Sequence, residues 1–495
     1  MSACRVRFCT ACPPAPDIPR PIVAARLLRR VAHTTLAVAL LATGLTVASP
    51  PSPAYAAPRV TRLGDTLLDA NALFFISYDG IVNNAAYQQE GILTYAGYQY
   101  AAWYTASRHA MVARRQLPSG AWQTIQLPHQ LSVNDSHNSI SLGISPLDGR
   151  LHVAMDTHNS QVYYVKSEAG LVYGGIWSVS RFGPVQRTLD GLNLGNITYP
   201  RFVTTPEGRL QLSYRTGGSG NGTMELAEYD GVWRWLGRWS SATGSYTANG
   251  VISTTRNLYL HGLSYGQNGR LHAAFTWREG NTRVLCHQGG LANHDTGYVY
   301  SDDRGRTWRN NAGQVVATTG SGSLVSVSSP GLVVDPLDVN HALINQESQA
   351  VDSQGRPHVI ISYVPGRFTQ CVSDFVGQRR SYGYAFHLYR STDGTWRKIE
   401  IPVPLTAFGR SQIVLDSADN AYVVLPYGRI VTASAASGWT DWTVAFDGSG
   451  LDAFGEVVVD RSRVASEGVL SILYQRRSSG TTPSPIRVVD FRLGG

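Results

Sequence analysis

The sequence predicts an all-β fold, a seven-bladed β-propeller, and two observations lead to this prediction. Short segments of alternating apolar and polar residues, such as residues 151–155 and 210–214, recur between turn signals, and helical periodicity is nearly absent. A glycine or asparagine turn followed by a short apolar segment also recurs seven times. These turns begin at Gly97, Gly149, Gly208, Gly269, Gly355, Asn420 and Gly468.

The spacing of the seven turns supports the propeller. Successive turns are 52, 59, 61, 86, 65 and 48 residues apart, and a spacing near 60 is enough for one four-stranded sheet with its loops. A pair of β-sandwiches is the alternative architecture. The 86-residue spacing predicts an insertion. This insertion holds Ser301-Asp-Asp-Arg-Gly-Arg-Thr-Trp308, which fits the Asp-box S-x-D-x-G-x-T-W, a hairpin turn of sialidase-like propellers with a structural role.

The first 56 residues have the features of an export signal. Six arginines precede the apolar run at residues 35–48, and Ala54-Tyr55-Ala56 offers the small residues that a signal peptidase needs. The run is shorter than the roughly 20 residues that span a membrane, so no anchor is expected. We therefore predict a signal peptide at 1–56, a single catalytic propeller domain at 57–495, and a secreted protein that we expect to be a monomer.

The net charge argues against one class of partner. Removing residues 1–56 takes away six Arg and one Asp, which lowers the formal net charge from +8 to +3. A nucleic-acid binder would carry a concentrated basic patch, and so small an excess argues against one. The chain remains mildly basic, which is compatible with an acidic substrate.

Two histidines are predicted to lie side by side at the end of one hairpin. The segments Asp135-Ser-His-Asn-Ser139 and Asp156-Thr-His-Asn-Ser160 flank the turn at residues 146–149, and His137 and His158 are equally far from its centre. In a symmetric antiparallel hairpin such residues face each other. Asp135 and Asp156 could orient the two imidazoles or could cap the flanking turns.

The next two repeats place a phenol and two guanidiniums at the corresponding ends. If the turn at residues 206–209 is centred on Glu207, Tyr199 lies opposite Arg215, and Arg278 ends the apolar segment at 271–277. Each residue alone is more often structural: a strand histidine is usually hydrogen-bonded, a tyrosine before proline packs, and an arginine at a strand end is solvated. Their matching positions favour a shared site.

This set of side chains suits one reaction class. There is no evident carboxylate pair of a glycoside hydrolase and no G-x-S-x-G nucleophile motif. Histidine and tyrosine move protons, and arginine pairs with a carboxylate and stabilises the enolate-like charge that forms beside it. The set therefore indicates β-elimination on a uronate sugar, with side chains and no cofactor supplying the chemistry.

In these segments the sequence resembles the BNR-repeat propeller lyases, which include seven-bladed ulvan lyases and enzymes that cleave rhamnose-glucuronate linkages. The resemblance runs over residues 80–396 and rests on D-x-H-N-x-I at 135–140, D-x-H at 156–158, Tyr199, Tyr-Arg at 214–215 and the His-to-Arg segment at 272–278. It implies a polysaccharide lyase in which His137 and Tyr199 share the base and acid roles. His158, Arg215 and Arg278 would hold and neutralise the uronate of an acidic polysaccharide, with Asn138 and Tyr246 also binding substrate.

The two cysteines after residue 56 allow three states. Cys286, His294, Cys371 and His387 could form a structural zinc site, and some ulvan lyases that the chain resembles carry a structural metal. A disulfide between Cys286 and Cys371 suits a secreted protein. Two free buried thiols are the third state.

Two other functions remain open at this point. The same propeller resembles that of a rhamnosidase, so the protein could be a hydrolase, either of that kind or sialidase-like. A sialidase normally carries several Asp-boxes, and one good example is visible here. A non-catalytic propeller that binds acidic sugars is the other alternative.

Overall fold

Antiparallel strands joined by short turns make up most of the computed structural model, which describes residues 57–87 and 90–494. The predicted signal peptide lies outside these residues. The strands, in chain order, are β1 (Arg59–Ala72), β2 (Ile92–Tyr95), β3 (Tyr98–Tyr104), β4 (His109–Gln116), β5 (Gln123–Gln130), β6 (Ser141–Ser145), β7 (Arg150–Met155), β8 (His158–Ser160), β9 (Tyr163–Lys166), β10 (Ile197–Thr204), β11 (Leu210–Gly218), β12 (Asn221–Tyr229), β13 (Trp233–Arg238), β14 (Thr243–Ala248), β15 (Val251–Tyr265) and β16 (Leu271–Glu279). They continue with β17 (Asn293–Ser301), β18 (Thr307–Arg309), β19 (Val315–Thr318), β20 (Val333–Asp335), β21 (Ser348–Val351), β22 (Pro357–Tyr363), β23 (Tyr384–Arg390), β24 (Trp396–Pro404), β25 (Gln412–Leu415), β26 (Ala421–Leu425), β27 (Arg429–Ala433), β28 (Thr443–Phe446), β29 (Val458–Val459), β30 (Val469–Gln475) and β31 (Ser484–Gly494).

Helices are few and short in the described residues. The two α-helices are α1 (Phe375–Tyr382) and α2 (Arg461–Glu467). The 3₁₀ segments are Leu171–Tyr173, Val179–Arg181, Val339–His341 and Pro426–Gly428. None of the helices within 57–87 and 90–494 has the length and apolar character needed to cross a membrane.

The strands of the described chain form seven sheets. In chain order these are β2–β5, then β6, β7 and β9, then β8 with β10–β13, then β14–β20, then β21–β24, then β25–β28, and finally β29–β31 with β1. We call them the first to the seventh sheet. The prediction of an all-β chain is therefore confirmed.

Each of the seven predicted turns leads into a strand of a different sheet. The strands that follow them are β3, β7, β11, β16, β22, β26 and β30. Gly149 shows why the turn needs glycine: its φ is 66°, and a Cβ there would lie 2.5 Å from the ring of Tyr173. In the sixth sheet Asp419 takes the positive φ, which aspartate tolerates better than most residues.

The long spacing before Gly355 holds additional structure, as predicted. The fourth sheet contains seven strands, more than any other sheet in the described residues. The Asp-box forms the turn between β17 and β18, where Asp303 accepts hydrogen bonds from Ser301 Oγ at 2.7 Å and from the Thr307 backbone N–H at 2.8 Å. Trp308 at its end is buried and stacks on Trp239 at 4.4 Å. The motif is structural here.

The apolar core lies between neighbouring sheets. Tyr100 and Val112 of the first sheet pack with Leu142 and Val153 of the second, and all four are fully buried. Burying a side chain of this size contributes about 1.5–3 kcal/mol. Neighbouring sheets also touch through their strands: β2 contacts β6, β6 contacts β10, β15 contacts β21, β21 contacts β25, and β2 contacts β29. The long strand β1 pairs with β31, so both ends of the described chain meet in the seventh sheet.

Candidate active site

A cavity of about 570 Å³ collects side chains from most of the chain. Five of the predicted site residues line it together: His137, His158, Tyr199, Arg215 and Arg278. The structure thus brings the two imidazoles, the phenol and the two guanidiniums to one place, and the geometry of each can be followed from its strand.

The two histidines stack on each other across a shared carboxylate. The ring centroids of His137 and His158 are 4.3 Å apart, with 30° between the planes. Asp135 accepts a hydrogen bond from Nδ1 of each imidazole, at 2.6 Å in both cases. Because an ionised carboxylate only accepts, both Nδ1 atoms carry a proton. The neutral form of each ring therefore keeps its lone pair on Nε2.

The charges of this trio favour a neutral His137. Burial lowers the pKa of His137, and the neighbouring His158 lowers it further, while the hydrogen bond to Asp135 opposes them; the result lies below the ordinary 6.5. Burial acts to raise the pKa of Asp135, but the hydrogen bonds from His137 and His158 outweigh it and hold that pKa well below its usual range. At neutral pH Asp135 is ionised and His137 can accept a proton.

The predicted hairpin register holds only part of the way to these histidines. Strands β6 and β7 pair in the expected register, from Ser145 with Arg150 to Ser141 with Ala154. Beyond that point His158 turns away in β8 and pairs with Thr198 of the third sheet. The β6–β7 hairpin therefore does not extend to the two imidazoles. Their shared contact with Asp135 and the pairing of β8 with the third sheet bring them together. Asp156 does not orient them, since it binds His129 and Ser132.

Tyr199 lies at an irregularity in β10. Strands β10 and β11 pair in the predicted register at Arg201 and Ser213, but Arg215 pairs with Thr198. The prediction that Arg215 lies directly opposite Tyr199 is wrong by one residue, because the strand bulges between these pairs. Tyr199 has a φ of 56°, a strained value for an aromatic residue and one that clusters at functional sites. The Arg215 guanidinium still lies over the Tyr199 ring at 5.0 Å.

The surroundings of Tyr199 keep its phenol protonated. Burial raises the pKa of Tyr199 and the nearby Tyr259 raises it further, while Arg215, Arg410 and Arg278 lower it only in part. The net pKa is above the ordinary value of 10.0. Tyr199 can therefore donate a proton at neutral pH.

Three arginines line the cavity, and two of them, Arg215 and Arg278, pair with no carboxylate of the described residues, whereas Arg410 pairs with Glu456. Arg215 donates to Tyr259 Oη at 2.9 Å and to Thr198 Oγ1 at 3.1 Å, and its Nε is buried without a partner. The Arg278 guanidinium has no hydrogen bond or ion pair with residues 57–87 or 90–494. Two such cations at one wall make a site for an anion.

A buried ionic network lies behind Arg278. The next residue, Glu279, accepts from Arg256 Nε at 2.8 Å and from His294 Nε2 at 3.0 Å, while His294 Nδ1 donates to Asp295 at 3.0 Å. Burial acts to lower the pKa of His294, but the two carboxylates outweigh it and raise it. Glu279 is thereby neutralised within the wall, so it does not oppose the charge of Arg278.

Several cavity residues were missed by sequence reasoning. Tyr78 and Tyr87 come from the loop between β1 and β2, and the Tyr78 ring lies 4.4 Å from that of His137. Arg410 comes from the loop between β24 and β25, where it donates to Glu456 at 2.8 Å and to the Asn345 carbonyl at 2.7 Å. No periodic pattern marks these loops, which explains why they were missed.

Tyr259 could have been found. It pairs with Thr276 across β15 and β16, two residues from the pair of Asn257 with Arg278. Residues two apart on a strand share a face. The alternation of β15 therefore places Tyr259 on the same face as Asn257, the partner of Arg278.

Comparison with known proteins gives the family. The model of the BNR repeat-containing family matches residues 98–403, more than half of the chain. The chain belongs to this family.

Curated relatives of this BNR-repeat protein include ulvan lyases. The long isoform from Pseudoalteromonas sp. (strain PLSV) is 24% identical over 459 residues, which cover 83% of this chain and 43% of that protein. The short isoform from Alteromonas sp. (strain LOR) is 27% identical over 286 residues, which cover 47% of this chain and 52% of that protein. The chain thus spans about half, or less, of the length of these relatives.

Solved structures share the fold of this BNR-repeat protein. The polysaccharide lyase Uly1 superposes with a TM-score of 0.65 at 19% identity, covering 87% of this chain and 99% of the other. A PL25 ulvan lyase bound to -[GlcA(1-4)Rha3S]- superposes with a TM-score of 0.59 at 12% identity, covering 86% and 95%. At these identities the likeness establishes the fold.

Two predicted substrate-binding residues of the BNR-repeat protein do not line the cavity. Tyr246 stacks on His294 at 3.7 Å, behind the wall that carries Arg278. Asn138 is buried next to His137, and its backbone carbonyl accepts from Tyr104 Oη at 2.9 Å. Neither side chain is placed to touch a ligand in the cavity.

The predicted zinc set is not formed. Cys286 and Cys371 are joined in a disulfide, which uses both sulfurs. His294 is held by Glu279 and Asp295, and Nε2 of His387 is 2.8 Å from Nδ1 of His358. The four predicted ligands Cys286, His294, Cys371 and His387 therefore all have other partners.

Proposed function

We propose that this protein is a polysaccharide lyase that cleaves a uronate-containing polymer by β-elimination and leaves a 4,5-unsaturated uronate. The observation that carries the proposal is one cavity with a neutral imidazole, a protonated phenol and two guanidiniums that no carboxylate of the described residues neutralises. Each group has a place in that reaction.

The proposed scaffold is a seven-bladed β-propeller. Support comes from the seven sheets of the described residues, the contacts between strands of neighbouring sheets, and the pairing of β1 with β31. In a propeller this last pairing closes the ring, which leaves only short, protected strand edges. The cavity would then lie at one mouth of the central channel.

The guanidiniums of Arg215 and Arg278 bind the uronate carboxylate in this proposal. When the proton on C5 leaves, negative charge moves onto the carboxylate, and fixed cations stabilise that charge at no cost of reorganisation. A pair of arginines with no internal carboxylate partner is suited to this task.

His137 takes the proton and Tyr199 returns one to the leaving oxygen. The C5 proton moves to Nε2 of His137, the C4–O4 bond breaks, a double bond forms between C4 and C5, and O4 receives the phenolic proton. On a glucuronate ring the C5 proton and O4 lie on the same face, so base and acid must stand side by side. The ring centroids of His137 and Tyr199 are 5.7 Å apart.

Asp135 and His158 support the base. The Asp135 carboxylate fixes the tautomer of both rings, so that Nε2 of His137 is the basic atom. His158 stacks against His137, lines the cavity, and adds a donor for the substrate. No step of this reaction uses a cofactor.

We propose glucuronate linked to rhamnose as the substrate. The support is the likeness to ulvan lyases, one of which is bound to -[GlcA(1-4)Rha3S]- in its solved structure. We propose that the protein works outside the cell, since residues 1–56 have the pattern of an export signal.

The test is absorbance of the unsaturated uronate during incubation with ulvan and unsulfated glucuronate polymers. We expect steady growth with the unaltered protein and loss of about 10²–10⁴-fold with Tyr199→Phe, since proton transfer of this kind contributes that much. Tyr389→Phe, a partly buried tyrosine outside the cavity, is the matched control and should keep full activity. New reducing ends without this absorbance would identify a hydrolase. Binding of the polymer with neither absorbance nor new reducing ends would identify a sugar-binding propeller.

A further inference from the structure

A second polar cavity adjoins the candidate active site. Its volume is also about 570 Å³, within the range of about 300–1,000 Å³ usual for ligand sites. Gly218, Ser219 and Arg278 line both cavities, so the two are continuous at these residues. We call the second cavity the Gly218 groove.

Close approach of two backbones forms the base of the groove. The turn between β11 and β12 meets the segment after β16, where a Cβ on Gly220 would lie 2.4 Å from Cα of Gly280. Gly218 differs from them: a Cβ there would meet nothing within 4 Å, and its backbone is not in the left-handed region. A side chain at position 218 would therefore enter open space at a residue that lines both cavities.

The walls of the groove offer neutral hydrogen-bonding groups. Asn221, Asn281 and Gln288 line it, and their side-chain amides make no hydrogen bond with the residues that the structure describes. Free amides at a solvent-open wall match the hydroxyl groups of a sugar, which both donate and accept.

The groove has little to offer a second anion. Among the described residues, the ionisable ones that line it are Arg278 and Glu279 alone. Glu279 is engaged by Arg256 and His294, and Arg278 stands at the junction, where the uronate would bind. With Arg278 occupied by the uronate, a sulfate ester in the groove would give up water without gaining a further cation, which is unfavourable.

We propose that the Gly218 groove binds the uncharged sugar next to the cleaved uronate, and that it selects this sugar without a sulfate ester. The inference rests on the proposed function for the position of the uronate. It makes an unsulfated rhamnose-glucuronate polymer a better substrate than its sulfated counterpart.

The test is calorimetric titration with two tetrasaccharides of glucuronate and rhamnose that differ only in a 3-sulfate on rhamnose. Titrations use the Tyr199→Phe background so that the ligand is not consumed. We expect the unsulfated ligand to bind at least about 10-fold more tightly, and Gly218→Val to weaken its binding by a similar factor. Gly64→Val is the matched control: this strand glycine of β1 also has open space and no left-handed backbone, and binding should be unchanged.

The outcomes separate the groove from the reaction. Equal or tighter binding of the sulfated ligand, no binding of either, or unchanged binding by a folded Gly218→Val variant would each overturn the groove proposal. In parallel, elimination is measured from the absorbance of the unsaturated uronate, with protein that retains Tyr199. If the unsulfated ligand binds more tightly but no unsaturated uronate forms, the groove proposal stands and the lyase function is refuted. If unsaturated uronate forms but the sulfated ligand binds more tightly, the lyase function stands and the groove proposal is refuted.

Discussion

Two pairs of stacked histidines occur in the part of the chain that the structure describes, and only one of them opens onto the cavity. His137 and His158 stack at 4.3 Å beside Asp135, and their side chains are 15% and 23% exposed. His358 and His387 stack at 5.0 Å with Asp352 3.3 Å from His358, and both are fully buried. Each pair thus has two stacked imidazoles and one carboxylate, although Asp135 binds both histidines of its pair and Asp352 binds one.

The surroundings decide what each pair can do. The buried pair packs against aromatic rings, with Trp439 4.6 Å from His358 and Trp442 5.6 Å from His387. The cavity pair shares its cavity with the Tyr199 phenol and with the guanidiniums of Arg215 and Arg278, which have no carboxylate partner in the described residues. Stacked imidazoles with a carboxylate are therefore no evidence of catalysis by themselves. The cavity pair is suited to catalysis because a ligand can reach its imidazoles and because cations lie nearby.

The largest expected effect comes from replacing one histidine in each pair with glutamine. His137→Gln should lower the rate of unsaturated uronate formation by about 10²–10⁴-fold, because the base is lost, with little change in melting temperature. His387→Gln, the matched change in the buried pair, should lower the melting temperature and leave the rate of the folded protein intact. Similar changes in rate and melting temperature in the two variants would contradict the assignment of catalysis to the cavity pair alone.

The second prediction concerns the predicted zinc set, which included His387 of the buried pair. Reduction of the Cys286–Cys371 disulfide, which joins residues 85 apart, should destabilise the protein by about 2–4 kcal/mol in thermal denaturation. A chelator should change neither stability nor rate. Loss of activity with chelator would instead place a metal at Asp135, His137 and His158, whose ligand atoms lie within 4.8 Å of one another.

The third prediction concerns the carboxylate of each pair. Asp135→Asn should lower kcat by about 10–100-fold, because a neutral amide cannot fix both imidazole tautomers. The hydrogen bond to Asp135 raises the pKa of His137, so its loss should move the acid limb of the pH–rate profile to lower pH. Asp352→Asn should affect stability alone. An unmoved acid limb would argue against His137 as the base.

The smallest effect is the acid sensitivity that the buried pair confers. Burial lowers the pKa of His387 well below the ordinary 6.5, so the unfolded chain binds a proton that the folded protein excludes. This contribution is present above about pH 6.5 and is lost as the pH falls below it, at a cost of about 1 kcal/mol per pH unit. His387→Phe should reduce the fall in melting temperature on acidification. An unchanged fall would assign the sensitivity to other groups.

The sequence predicted most of the strands that carry the site, since alternation and glycine turns are local signals. The β6–β7 register followed from the symmetry of one turn, and it brought His137 and His158 to attention. The register at Tyr199 was predicted wrongly by one residue because a bulge depends on the packing around it, which no local pattern records.

Longer-range features were out of reach of sequence patterns. The bridging role of Asp135 depends on where β8 crosses to the third sheet, and Tyr78 and Arg410 arrive from loops more than 300 residues apart. The choice between zinc and a disulfide needed the positions of His294 and His387, which their neighbours in other strands determine.

The pairing of the first and last strands has a consequence for how the protein is made. Strand β1 has β31 as its neighbour in the seventh sheet, and more than 400 residues separate the pairs that join them. Until β31 has been synthesised, β1 exposes a 14-residue edge of unpaired backbone groups, which can associate with other strands. Such distant pairing slows folding, so we expect the exposed edge of β1 to be the site most prone to aggregation until β31 pairs with it.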